Sequence, residues 1–297
     1  MQDRLALAAV LVLSLTWGAS FALIELALAA AGPFALSFAR AALAGSVLLL
    51  AAWITGAGLP RSPRQWGWCV LLGFFSLTLP FTLLFWAQRS IDSAVASVFI
   101  AASPLFVLLF ARILLGEAIR HNQWVGFALG CGGLVVLIGP GALLAILDSP
   151  PLPQLAALGT AMSYAMAAVL VKRAPAMHPI TATAAGLGSA AVMLAPLGGA
   201  EMVAALPTAP NGALVALAVL GLVQTGAAQL LRYWTVQRAG PVFASTVSYL
   251  IPIWATLIGV TLLGERLSLQ AVLGIVLVLA GLLVARRQGS AAASSAG

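Results

Sequence analysis

Ten apolar stretches, each close to the length of a membrane-crossing helix, fill this 297-residue chain and leave little room for anything else. They run over residues 5–30, 34–55, 66–87, 93–115, 122–139, 153–171, 179–199, 211–233, 242–263 and 268–285. A hydrocarbon core about 30 Å thick needs about 20 apolar residues of helix to cross it. Because every backbone N–H and C=O must be satisfied inside that core, runs of this length cross it as helices. The breaks between runs are short and carry turn formers, as at Gly32-Pro33, Gly58-Leu59-Pro60, Ser149-Pro150-Pro151 and Gly240-Pro241. Composition agrees: the chain is 62% hydrophobic and 7% charged, with mean hydropathy +1.10, more apolar than a soluble domain's surface tolerates. The expected fold class is an all-α membrane protein with ten transmembrane helices, and its first partner is the lipid bilayer.

The net charge of +7 acquires meaning from where the charges fall. With loops assigned alternately to two sides, eleven of the 14 Lys and Arg lie on the side of the termini and only Arg89 and Arg266 on the other. Arg40 lies inside a span, and the tally counts Arg232 among the residues at span ends. The positive-inside rule then predicts both termini in the cytoplasm of an inner, plasma-type membrane. Nucleic acid is not needed to explain the basic balance. The first run has a basic start and AxA-like residues near Ala27, but it exceeds a signal-peptide core in length and contains Trp17 and Glu25, so it reads as a retained span. The tail at 288–297, QGSAAASSAG, reads as disordered.

Enzyme chemistry finds no foothold. His121 and His178 fall in loops, and apart from Glu25 the carboxylates lie at loops or span ends, so no acid, base and nucleophile meet at one depth. Cys69 and Cys131 sit inside apolar runs without paired spacing and read as packing residues; no metal or cofactor is expected. Glycine strings at 130–133 and 186–188 lack the preceding strand that a dinucleotide loop requires.

The stretch ASPLFVLLFARILLGE at 102–117 returns as LIPIWATLIGVTLLGE at 250–265. A shift of 148 positions superimposes Gly73 on Gly221, Trp86 on Trp234, Ala96-Ser97 on Ala244-Ser245, Pro104 on Pro252, and Leu114-Leu115-Gly116-Glu117 on Leu262-Leu263-Gly264-Glu265. The chain is therefore a tandem duplication, with repeats expected at 4–139 and 152–287. Five spans is an odd number, so the second repeat must enter the membrane from the opposite side. Two inverted five-helix repeats around a central cavity can exchange conformations and expose that cavity to either side in turn, the geometry of alternating access.

Two five-helix halves, each with Pro, about ten apolar residues and LLGE ahead of a glycine-containing helix, together with Thr16-Trp17-Gly18 in the first span, resemble the EamA-type branch of the drug/metabolite transporter superfamily. The resemblance covers roughly residues 4–287. It implies a ten-helix carrier, of the kind that exports amino acids and related metabolites. No motif here separates the aromatic amino-acid exporters of the YddG type from other members.

Candidate site residues follow from where small, polar or helix-disrupting side chains fall within spans. The fourth run carries Ser93, Ser97 and Pro104 on one stripe, and the ninth carries Pro241, Ser245, Ser248 or Tyr249, and Pro252. Pro104 and Pro252 each free a backbone carbonyl and kink the helix; the same small residues also suit plain helix packing. Trp17 and Tyr164 occupy equivalent places away from the interfacial belts. Thr78, Thr82 and Phe85 give the third run a mixed hydroxyl and aromatic face. In the eighth, Gln229 shares a face with Thr225, and Gln224 points elsewhere. Glu25 and Arg40 lie level on neighbouring spans, either as a structural ion pair or as a gate in which Glu25 exchanges protons. With Arg40 as the one basic residue well inside a span, a neutral or zwitterionic substrate such as an amino acid fits better than a phosphate, which needs fixed cations. The expected function is export of such small metabolites by an inner-membrane carrier. A proton-coupled drug antiporter, and a channel or scaffold, are the alternatives; a channel calls for a continuous polar path, which the sparse polar residues do not make.

Overall fold

Prolines open many of the helices. Pro33, Pro63, Pro151, Pro179 and Pro241 each stand at a helix start, where the missing N–H would be unpaired anyway. Ser62 caps its helix by accepting the Gln65 N–H at 3.2 Å, the usual remedy for an orphan donor. The computed structural model describes residues 2–91, 96, 99–148, 151–251, 253–254 and 269–286. Among them the secondary structure is helical, with no strand.

The helices are α1 (Gln2–Gly18), α2 (Ser20–Ala27), α3 (Pro33–Ile54), α4 (Pro63–Ala87), α5 (Ser103–Leu115), α6 (His121–Asp148), α7 (Pro151–Arg173), α8 (Pro179–Ala205), α9 (Asn211–Ala239), α10 (Pro241–Ile251) and α11 (Leu269–Arg286). Five of them, α3, α4, α7, α8 and α9, are long and apolar enough to cross a membrane. The fifth apolar run ends, as expected, at Gly139, whose φ of 78° breaks the helix, but the chain turns helical again up to Asp148. The carbonyl of Val136, just before the break, accepts a hydrogen bond from the Gln270 amide at 2.9 Å.

Small residues set the closest helix contacts. α3 lies against α8, where a Cβ on Gly45 would come within 3.2 Å of the Gly188 nitrogen. α6 lies against α11: a Cβ on Gly133 would meet the Val278 nitrogen at 2.6 Å, and one on Gly281 the Gly126 carbonyl at 2.6 Å. Backbones approach this closely only where side chains are absent.

Four stretches are wound as π-helix: 74–78 in α4, 111–115 in α5, 195–199 in α8 and 220–227 in α9. The first and last lie at corresponding places under the 148-residue shift. In α4 the Leu79 N–H reaches the Phe74 carbonyl, five residues back. The next residue, Pro80, has no N–H, so the Phe75 carbonyl loses its helical partner. Ser163 of α7 donates to it at 2.9 Å. Thr160, one turn earlier on α7, sits 3.4 Å from the Pro80 carbonyl. The proline thereby ties α4 to α7.

Candidate functional site

Helices from both sequence repeats surround one cavity of about 790 Å³, part of it open to the exterior. A mostly apolar hollow with a few convergent polar groups is the usual form of a small-molecule site. α1 to α5 contribute Trp17, Ser20, Arg40, Phe81, Leu84, Ser103 and Val107, with Ile100 from just before α5. The second repeat contributes Tyr164, Ala165 and Ala168 from α7, Gln224, Gln229 and Arg232 from α9, and Ala244 to Ile251 positions of α10 that include Ser245 and Ser248.

Arg40 is 4% exposed. Its Nε–H donates to Thr225 Oγ1 on α9 at 2.5 Å, and its guanidinium carbon lies 4.1 Å from the Phe81 ring centroid and 5.9 Å from that of Phe85. An aromatic face attracts a cation by its quadrupole. Thr225 is oriented in turn, its hydroxyl donating to the Leu220 carbonyl five residues back at 2.8 Å, as the π-helical winding requires.

Arg232 is the site's second cation. It lies within α9, seven residues before the end at Ala239, where the tally of loop charges had counted it at a span end. One of its terminal nitrogens donates to the Tyr164 carbonyl at 3.1 Å; the other sits 3.4 Å from Gln229 Oε1 and 3.5 Å from Ser76 Oγ. No carboxylate lines the cavity among the described residues.

Trp17, Tyr164, Gln229 and Ser245, all expected in the site, line it together. Trp17 also donates its indole N–H to the Gln224 carbonyl at 3.0 Å, linking α1 to α9. Ser245 donates to Val242 of its own helix at 2.8 Å. Phe85 stands behind the lining, fully buried beside Arg40. Thr78 is buried away from the cavity with its hydroxyl unpartnered, and Thr82 is half-buried outside it. Tyr249 also lies outside the lining; its ring faces Gly130 of α6. At Pro104 the helix is interrupted: a turn at Ala101 and Ala102 precedes α5, which starts at Ser103. Ser93, Ser97 and Pro252 lie outside the described residues.

Two expectations need correction. Gln224 does not point elsewhere: it lines the cavity with Gln229, and the π-helical winding over 220–227, which ends just before Gln229, changes the α-helical register on which the faces were assigned. Glu25 and Arg40 make no ion pair, since Glu25 is exposed on α2 while Arg40 turns inward to Thr225. Equal depth along two helices leaves the direction each side chain faces undetermined.

Such a bundle, with membrane-length apolar helices closed around a solute-sized hollow, defines a helical membrane protein built to hold a small molecule. The sequence profile of the EamA-like transporter family matches residues 4–139 and again residues 152–287. The chain belongs to that family and is a transporter, not an enzyme. It is 28% identical over 263 residues to the "Uncharacterized inner membrane transporter YedA" of Escherichia coli K12, covering 88% of this chain and 83% of that one. It is likewise 28% identical to the "Probable terminal-alkyne amino-acid exporter" of Streptantibioticus cattleyicolor, covering 92% and 90% of the two chains. A crystal structure of a protein 22% identical in sequence superimposes with a TM-score of 0.70 over 96% of this chain and 97% of its own, which shows the fold alone.

Proposed function

We propose that this protein is a ten-span carrier that exports small carboxylate-bearing metabolites, amino acids foremost, by alternating access. The observation that carries the reading is a cavity walled by both repeats and lined by two guanidinium groups. Arginine matches a carboxylate with parallel N–H donors and retains its charge when buried. Trp17, Phe81 and Tyr164 supply aromatic surface for an apolar side chain or an ammonium group.

Two inverted five-helix halves supply the motion. The duplicated sequence, the odd number of spans per repeat and the pairing of α3 with α8 and of α6 with α11 support this arrangement. Both termini are cytoplasmic on the basis of the loop charges, which remain strongly biased after Arg232 moves from the loops to the cavity. A relative's description as an amino-acid exporter agrees with the substrate class. Proton exchange through Glu25 has less to support it, because that carboxylate does not line the cavity.

The test is counterflow in proteoliposomes made with the purified full chain and a panel of labelled amino acids. Labelled substrate is expected to accumulate against a preloaded unlabelled pool. Currents far above carrier turnover, with no counterflow, would instead indicate a channel.

A further inference from the structure

Among the described residues, the two cations in the cavity have only neutral partners. Arg40 is held by Thr225 and the Phe81 ring; Arg232 by the Tyr164 carbonyl, Gln229 and Ser76. Neutral dipoles replace the lost hydration of a guanidinium only in part. An incoming anion supplies the remainder and gains charge-assisted, forked hydrogen bonds. One carboxylate answers one arginine; here there are two.

Their spacing narrows the ligand. Thr225, which holds Arg40, and Gln229, which holds Arg232, are four residues apart on α9, about one turn along the same helix. Tyr164, whose carbonyl accepts from Arg232, lines the same cavity as both cations. A chain of two or three methylenes carries its terminal carboxylates roughly 4–5 Å apart, so one molecule can meet both guanidinium groups. We propose that the substrate is a short dicarboxylate, the acidic amino acids included, with one carboxylate on Arg40 and the other on Arg232. The proposal rests on the carrier reading above and narrows its substrate class.

The rest of the cavity suits such a body. Leu84, Ile100 and Val107 offer apolar wall to the methylenes. Gln224 is 4% exposed, and its side-chain oxygen has no hydrogen-bond partner. On a residue of the cavity lining, that free acceptor can take a hydrogen bond from the ammonium of an amino acid.

The experiment uses the full chain in proteoliposomes, with succinate, glutarate, L-glutamate, L-glutamine, L-leucine, succinamate and inorganic phosphate as labelled solutes. The first three are expected to exchange at least about tenfold faster than the others. Arg40→Gln and Arg232→Gln are each expected to cut dicarboxylate exchange about tenfold, with Arg40→Lys and Arg232→Lys retaining part of it. Thermal unfolding in detergent gives a reading independent of transport: succinate raises the wild-type midpoint and succinamate does not. Should an arginine variant fail to fold, the wild-type contrast between succinate and succinamate still decides. Glutamine, leucine or phosphate exchanging as fast as succinate would overturn the dicarboxylate and leave the carrier standing. Exchange of no solute, with no stabilisation by succinate, would overturn both.

Discussion

Arg40 shows how neutral groups can hold a charge inside an apolar bundle, with no counter-ion beside it among the described residues. The hydroxyl of Thr225 fixes one nitrogen and the Phe81 ring lies 4.1 Å below the guanidinium carbon. Phe81→Leu keeps the volume apolar and removes the ring's quadrupole. A cation–π contact is worth about 0.5–2 kcal/mol, so the half-saturating substrate concentration in counterflow is expected to rise about 2- to 30-fold. An unchanged value would mean that the ring does not position the cation. Trp17→Phe tests a second contact. It deletes the indole donor to the Gln224 carbonyl, a net loss of about 0.5–1.5 kcal/mol for one hydrogen bond. The expected readout is a lower thermal midpoint in detergent. Trp17, Tyr164, Gln229 and Ser245 were legible as cavity residues because polar or aromatic side chains far from span ends have few other reasons to be there. Arg232 was not legible. Hydropathy counts residues along a run, and it cannot tell a basic residue at a helix end from one that faces a hollow a few turns inside.

At the level of helices, hydropathy located the five membrane-length helices α3, α4, α7, α8 and α9 and placed their faces less well. A straight α-helix places Gln224 off the Thr225 and Gln229 stripe, whereas π-helix over 220–227 turns it onto the cavity wall. Sequence carries no simple marker for such winding, although its recurrence at 74–78 under the repeat shift indicates that the duplication preserved it. The glycines of the fifth and tenth runs were legible as surfaces of close approach, and the structure supplies their partner, each other. Gly274 is the sharpest case: a Cβ there would lie 2.5 Å from the Leu137 backbone. Gly274→Leu forces α6 and α11 apart and is expected to cost about 1–3 kcal/mol, as overpacking does. Gly132→Leu, on the same helix as Leu137 but with nothing within 4 Å of its added carbon, is expected to leave the thermal midpoint within about 0.5 kcal/mol of wild type. Equal losses in the two variants would point to a general intolerance of leucine rather than to the α6–α11 contact.

For the whole molecule, alternating access requires that some contacts between the repeats open and others stay shut, and the α3–α8 seam has the marks of the second kind. At one end the Gly32 N–H donates to Glu201 Oε1 at 2.7 Å. At the other the Thr181 hydroxyl reaches the Ala57 and Gly58 carbonyls, each at 3.0 Å. Between them Gly45 and Gly188 bring the backbones together. Separating a seam held at both ends and close-packed in the middle would expose backbone-width gaps that no side chain fills, with a loss of contact all along the helix. The motion is therefore expected in the helices that wall the cavity, with α3 and α8 as a fixed line about which they turn. A cross-link tests this. In a background with Cys69→Ser and Cys131→Ser, the pair Gly32→Cys and Glu201→Cys is joined by a short bismaleimide, and counterflow is measured before and after. Gly32 has an ordinary φ of −72° that accepts a side chain, and replacing Glu201 removes the carboxylate its Cβ would meet. Exchange is expected to stay within about twofold of the unlinked protein, a difference of roughly 0.4 kcal/mol in barrier. If the cross-link stops exchange while the unlinked double-cysteine protein remains active, the seam itself opens during transport. The fixed line would then have to be sought elsewhere, with the α6–α11 contact the next to test.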